Sequence, residues 1–518
     1  MIAASARIER RCRAPGLFLC ALSLLVVSAG PLRGQRAPVF LEPGHWAWEA
    51  IRRLNVLGVA PASSDPALAP VTRQHAIDVF EAAAETAQMR GRADLVRLAE
   101  GYGELLREHA DTAGVLAALE LSAGWSAATG SALAGDGYFV DEDWEGAQPL
   151  GDLSGPTLRV HGHGFLRPWL SWQTDAGLTG GDLTVPAASV GLSVGPFDAW
   201  AGRRRLHYGI GHGGGTVLGT GLGGVPALAA RTDDTFDGIG IHVRDPFHFP
   251  SVLRILGPDR IEVVAGRLDA NGRVDAPWIV FGRLIGTPFT RRFTLGINRG
   301  AIFGGGGNPI TAGRLAGLIL GLHGGEGGEF ENQVFSVLGR LRPPLGPLPV
   351  ELYAEFGMDD TAGAISDMPG IIAGVDIGAV PGIAPLSLGL EHTQYPGSCC
   401  GNPIWYRNGF FRGAWADQGK LFAHPLGGHG REWLAHARID FPATGLLVRM
   451  EAFTRSRGHE NLFAPERTGR SRGGAVGIDY RPSSALQFRL DAGLELADEW
   501  DAQRVDITVA HDFGADIR

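Results

Sequence analysis

The sequence predicts a mainly β protein: a large transmembrane antiparallel β-barrel of roughly 16–18 strands with an N-terminal helical domain. Three observations predict it. From about residue 117 onward, short segments alternate polar and apolar residues by twos between clusters of Gly, Pro, Asp and Asn. No run of 18 apolar residues occurs, so no segment reads as a membrane-spanning helix. The chain of 518 residues holds 78 glycines, is 44% hydrophobic and only 19% charged, which excludes a disordered, solvating chain. It is also too long for one ordinary globular core. A net charge of −9 argues against nucleic acid as a partner. Lys420 is the only lysine against 45 arginines, a compositional skew that carries no structural message by itself.

Residues 1–34 read as a signal peptide. Arg7, Arg10, Arg11 and Arg13 form a basic head, Leu17 to Val27 form a short apolar stretch, and Ser28, Ala29 and Gly30 offer a cleavage site. Cleavage before Gln35 would leave only Cys399 and Cys400. These adjacent cysteines lie in a string of turn formers, Tyr395 to Pro403, and could close a vicinal disulfide in an oxidising compartment. A locally stiffened loop explains them better than redox chemistry, because no Cys-x-x-Cys spacing exists.

Residues 41–116 carry a helical pattern. Ala47, Ile51 and Leu54 recur at the spacing of one helix face, and Gly58 marks a stop. Thr72 is placed to cap a second helix through Ala76, Val79, Phe80 and Ala83. A third stretch, Ala93 to His109, places Leu95, Leu98, Leu105 and Leu106 on a comparable face. Trp46, Trp48, Glu49-Ala50-Ile51 and the later Thr72-Arg73 resemble a partial S-layer homology unit. The resemblance implies binding to cell-wall polymer; a plain helical plug or lid is the alternative reading.

Residues 117–513 carry the strand rhythm. Clear examples are Leu119 to Trp125, Leu158 to Trp172, Phe236 to Val243, Val334 to Leu341 and Leu434 to Phe441. The most specific segment is the last. In Val505 to Phe513, residues 505, 507, 509 and 513 are apolar and the run ends on an aromatic, the pattern of a closing outer-membrane strand.

Several internal stretches, in order, resemble the capsule assembly protein Wzi family. They are Ala201-Gly-Arg-Arg-Arg-Leu-His-Tyr-Gly-Ile-Gly211, Phe293 to Gly300, Glu331 to Arg342, Leu352 to Asp360, Glu391-His-Thr393 and Trp405-Tyr406-Arg407. Tyr208 and Ile210 stand where family members often have Trp and Pro. The resemblance implies an outer-membrane barrel with a periplasmic helical bundle, acting in the attachment or organisation of capsular or other surface polysaccharide.

A polar polymer is bound by aromatic platforms for sugar faces and by Arg forks for carboxylates. Two clusters offer both: Trp405, Tyr406, Arg407 and Arg412, and Arg203, Arg204, Arg205 and Tyr208. Catalysis is not expected. Glu355, Asp359 and Asp360 suggest a carboxylate pair, but a polar strand end explains the aspartates more simply. His161 and His163 alternate on one strand face without a third ligand, and His424, His429 and His436 match no zinc pattern. Gly209 to Gly224 lacks the ending of a phosphate loop and reads as a flexible loop. The expectation is therefore a monomeric, non-enzymatic outer-membrane barrel without cofactor or metal, in contact with membrane lipids, surface polysaccharide and, through its helices, cell-wall polymer. The alternative is a porin-type channel tethered to the cell wall.

Overall fold

The computed structural model describes residues 36–517 except 62–63, 65–69, 108–113, 131–153, 180–181, 218–234, 245, 249–256, 258, 269–275, 321–330, 347, 360–368, 397–404, 407–414, 418–419, 422–423, 460, 462–467 and 484. The signal-peptide stretch, Cys399, Cys400, Arg407 and Arg412 lie outside the described residues.

Three helices come first: α1 (Trp46–Val56), α2 (Arg73–Met89) and α3 (Ala93–Arg107). The Thr72 hydroxyl accepts the His75 N–H at 3.1 Å, which starts α2 where the sequence places a cap. Trp46, Trp48, Ile51, Leu54, Phe80 and Tyr102 fill the core shared by the three helices. Their apolar spacing puts one stripe of each helix inward.

The strands follow. They are β1 (Leu116–Thr129), β2 (Gly155–Arg167), β3 (Leu170–Thr179), β4 (Asp182–Val194), β5 (Phe197–Arg205), β6 (Thr235–Val243) and β7 (Asp259–Arg267). Next come β8 (Trp278–Gly286), β9 (Phe293–Phe303), β10 (Glu331–Leu341), β11 (Val350–Asp359), β12 (Gly370–Ile377) and β13 (Leu386–Tyr395). A short helix, α4 (Ala312–Leu320), lies between β9 and β10. Two residue pairs, β14 (Ala416–Asp417) and β15 (Lys420–Leu421), form a separate ribbon. The last are β16 (Gly430–Phe441), β17 (Leu446–Arg457), β18 (Gly469–Ser483), β19 (Leu486–Ala497) and β20 (Asp501–Ile517). All but the ribbon form one 18-stranded antiparallel sheet, closed where β20 pairs with β1 from Thr129↔Gln503 to Leu116↔Ile517. Strand β20 continues to Ile517, beyond the expected end at Phe513, because β1 offers backbone partners that far.

Closure removes every sheet edge, so backbone polar groups in the wall are paired without water. The two faces then separate by the alternation of the strands. Leu121, Trp125, Ile241, Val263, Leu352, Leu390, Val505, Ile507 and Val509 are exposed on the outside. Ser122, Glu262, Arg283, Glu355, Glu391, Arg455 and Glu495 are buried inside. This is an inside-out polarity, apolar toward the surroundings and ionic toward the axis, and it suits a wall that faces lipid. Among the described residues, no helix is long and apolar enough to cross a membrane.

The connections distinguish the ends. Residues 168–169, 195–196 and 442–445 are short turns at one end, whereas 130–154, 206–234, 304–330 and 396–429 are long connections at the other. The helices sit at the short-turn end. Arg53 donates to the Gly378 carbonyl at 3.0 Å and to Asp440 at 2.9 Å, and Arg438 bridges Glu49 at 3.0 Å and Asp440 at 2.6 Å. The Tyr102 hydroxyl also donates to Asp440; burial and that carboxylate push it well above its usual pKa, so it stays a donor. A charged side chain on the outer face should therefore be costly. Ile507→Arg, at a position 54% exposed, is expected to destabilise the inserted barrel by about 2–4 kcal/mol if it lies near the bilayer midplane. The measurement is the folded fraction by heat-modifiable migration; an unchanged fraction would mean that this face does not meet hydrocarbon.

Candidate functional site

The lumen is the first place to look for a site, and among the described residues it is filled in three layers. The lowest is the N-terminal segment. The Ala37 N–H donates to the Pro168 carbonyl at the short-turn end, and the chain then climbs the inside of β3. The Ser171 hydroxyl donates to the Pro38 carbonyl at 2.5 Å, and the Phe40 N–H donates to Gln173 at 2.8 Å. Glu42 reaches the backbone N–H of Arg205 at 3.0 Å. Helix α1 then returns toward the same end, where Arg52 pairs with Asp376 at 2.8 Å.

The middle layer is residues 206–217, which leave β5 and cross the barrel. The expectation of a flexible loop from Gly209 to Gly224 fails for the described part, because its backbone is clamped by two inward carboxylates. Glu355 of β11 accepts the N–H groups of Ile210 and Thr216, each at 3.1 Å, together with the Thr216 hydroxyl. Glu391 of β13 accepts those of His212 at 2.6 Å and Gly213 at 2.9 Å, and the Tyr353 hydroxyl at 2.8 Å. A side chain at Gly213 would meet Glu391, its Cβ falling 2.9 Å from Oε1, so glycine permits this approach. His212 stacks flat on His436 at 3.8 Å and lies 3.4 Å from Glu49 and 3.1 Å from Glu451.

The upper layer is aromatic. Trp405, Tyr406, Trp415 and Leu426 come inward from the connection between β13 and β16 and pack with Tyr208, Val217, Phe236, Phe281 and Tyr395. The Tyr406 hydroxyl donates to the Thr216 carbonyl at 2.9 Å, tying this layer to the one below. Its backbone takes a left-handed φ of 62°, held by an N–H bond to Asp359. At Gly370 a Cβ would lie 2.7 Å from the Tyr395 ring and 2.8 Å from Trp405, so the missing side chain makes room for both rings.

The two predicted clusters thus have different fates. Trp405, Tyr406, Tyr208 and Arg204 are at most 2% exposed and belong to the packed interior. The Arg triplet is divided by strand alternation. Arg204 points inward, stacked 3.6 Å over the Phe40 ring and 3.7 Å from Glu42. Arg203 is on the opposite face of the strand, paired with Asp237 of β6 at 2.5 Å. Arg205 is half-buried. The tempting carboxylates Glu355 and Asp359 are spent on backbone N–H groups, and Asp360 lies outside the described residues. Among the described residues, no group of three His, Cys, Asp or Glu side chains is arranged to hold a metal.

Sequence reasoning missed Glu355 and Glu391 as clamps, and Glu42 as the lower contact. A signal was present: Gly209-Ile-Gly-His-Gly-Gly-Gly215 offers bare N–H groups, and single glutamates at inward strand positions are the acceptors they need. Removing both acceptors should release the plug. In Glu355→Ala/Glu391→Ala each stranded donor costs about 1–3 kcal/mol, and steady conductance is expected in planar bilayers where the parent protein stays closed. Equal conductance of the two proteins would refute the clamp.

The family model described as capsule assembly protein Wzi matches residues 87–505. Among solved structures, the fold is similar to that of Wzi from Escherichia coli, described as an outer-membrane, carbohydrate-binding β-barrel involved in group 1 capsule assembly. The match has a TM-score of 0.67 at 13% identity and covers 92% of this chain and 99% of that one. OpdQ of Pseudomonas aeruginosa matches with a TM-score of 0.42 at 9% identity, over 76% of this chain and 97% of that one. OccK5 (OpdH) of the same organism matches with a TM-score of 0.41 at 12% identity, over 76% and 97%. No curated protein matches the chain.

Proposed function

The chain belongs to the capsule assembly protein Wzi family, and we propose that it binds and organises exported capsular or other surface polysaccharide at the outer membrane, without catalysis. The observation that carries this reading is the filled lumen. Three layers of side chain and backbone occupy the axis among the described residues, so the working surface is the loops at the long-connection end. The apolar outer face supports contact with outer-membrane lipid, and the short-turn end that holds the helices is the periplasmic one by the usual asymmetry of such barrels. The similar Escherichia coli barrel is described as carbohydrate-binding, which agrees.

In this reading the predicted residues divide their labour. Arg205, at the long-connection end of β5, supplies a fork for polymer carboxylates, as do Arg407 and Arg412, which lie outside the described residues, whereas the fork of Arg203 is already taken by Asp237. Trp405, Tyr406, Tyr208 and Arg204 act from below, holding the plug and the upper connection in one shape so that the loops present a fixed surface. Several weak contacts along one chain then gain by avidity.

Loss of the protein is expected to shed polysaccharide into the medium while its synthesis continues. Trp405→Ala, which removes a buried ring worth about 3–5 kcal/mol, should shed polymer as well, with the barrel still inserted. The measurement is cell-bound against free polymer. A porin would behave differently: small-solute uptake would fall and cell-bound polymer would stay unchanged, and that outcome would overturn the proposal.

A further inference from the structure

One part of the barrel wall breaks the alternation that holds along the rest of it. On β9 and β10 the even-numbered residues point into the lumen, where Asn298 donates to Ser336 and Ile302 and Val334 join the aromatic layer. Their odd-numbered neighbours point outward, and Leu295, Ile297, Val337 and Leu341 are exposed apolar side chains, as a lipid-facing wall requires. Toward the long-connection end the same outward row turns polar, at Arg299, Gln333 and Glu331. Arg299 lies opposite Phe335, six residues along β10 from Leu341. At about 3.4 Å per residue and a strand tilt of about 40°, it stands about 16 Å up an apolar band about 25 Å tall. A bare guanidinium at that depth would face hydrocarbon.

Helix α4 lies over that break, on the outside of the wall. Its Leu318 packs on Ala301 and Phe303, with Trp278 and Val280 of β8 beside them, and all four are outward positions of their strands. Arg299 donates to the Gln333 side-chain oxygen at 2.9 Å and to the Leu318 carbonyl, one of the four that a helix leaves open at its C-terminus. The Gln333 amide donates in turn to Glu331. At the other end the Thr311 hydroxyl accepts the Arg314 N–H at 3.3 Å. The Arg314 side chain folds back onto Asn308 at 3.0 Å and the Pro309 carbonyl at 3.1 Å. The helix thus turns its polar contacts toward the wall and its own ends. The side it leaves exposed is Ala312, Gly313, Leu315 and Ala316, preceded by exposed Ile310, with no charge among them.

We propose that α4 is an interfacial helix lying against the outside of the barrel in the external leaflet of the outer membrane, with the acyl chains of that leaflet as its partner. Continuity selects this occupant: the medium that meets Leu295, Ile297 and Val337 lower on the same two strands also meets the exposed side of α4. A helix whose polar groups are satisfied internally and whose outer side is uncharged is what that medium admits. The cover lets the wall carry Arg299 where an uncovered arginine is disfavoured. The proposal is independent of how the other long connections act on polysaccharide.

The test is photolabelling of the full-length protein in liposomes with a carbene precursor that partitions into acyl chains, with glutathione present to quench carbenes in water. Peptide mass spectrometry locates the label, and no altered protein is needed. Residues 310–318 are expected to take label as strongly as residues 295–297, whereas Met89, 81% exposed on α2, takes several-fold less. A water-soluble carbene precursor should reverse that order. The proposal is overturned if 310–318 stay unlabelled while 295–297 react, or if the water-soluble reagent labels 310–318 as strongly as Met89. It is likewise overturned if lipid-phase label reaches 310–318 only in nanodiscs that hold a single barrel, which would make a second copy of the chain the occupant.

Discussion

The structure depends on the way two inward glutamates collect backbone N–H groups. A chain segment crossing a barrel at membrane depth exposes donors and acceptors where bulk water is scarce, and each one left alone is expensive. Glu355 and Glu391 answer this for residues 210–216, taking four main-chain N–H groups between them. The carboxylates are in turn satisfied by the segment they hold. Neither half would be tolerable without the other, so the plug and the strands that face it form one unit.

The same logic extends along the axis. Arg455 lies between Glu432 and Glu495, Arg457 also reaches Glu495 at 2.9 Å, and Asp376 serves both Arg52 and His436. Buried pairs of this kind are weak contributors to net stability, because desolvation consumes most of the Coulomb gain. Their value lies in specificity: an inside-out barrel cannot fill its interior with an aliphatic core without losing the contrast between lumen and lipid face. The aromatic upper layer is the exception. It packs like the core of a soluble protein, and it does so where long connections fold inward and bring their own side chains.

Much of the architecture is legible in the sequence because it follows from period and punctuation. Alternation marks the strands, Thr72 and Gly58 mark helix ends, and Val505, Ile507, Val509 and Phe513 announce the outer face of the closing strand. The site was less legible. Trp405 and Tyr406 are aromatic residues in a turn-rich stretch, and nothing local says that the stretch turns inward to meet Tyr395 and Thr216. Arg203, Arg204 and Arg205 read as one patch until a strand distributes them over two faces. The plug hides for a related reason: a glycine-rich run is flexible or clamped according to partners about 140 to 180 positions away.

The two stoppers of the lumen differ in how they are tethered. Residues 36–57 enter and leave at the same mouth, past Pro168 and Gly378, so this hairpin can in principle be drawn out without parting any strands. The crossbar at 206–217 is joined to β5 on one side and to the connection toward β6 on the other, and it has no such exit. Glu49 touches both systems, bonded to Arg438 of the wall and facing His212 of the crossbar. Trp48 adds a second contact, edge-on to His207, and Arg52 a third through Asp376 and His436 to the stacked His212, so load on the helices would be shared among several side chains in the middle of the barrel. The helices are bonded in parallel to the wall, through Arg53 to Gly378 and Asp440, and to the crossbar, so a pull from below is felt by both at once.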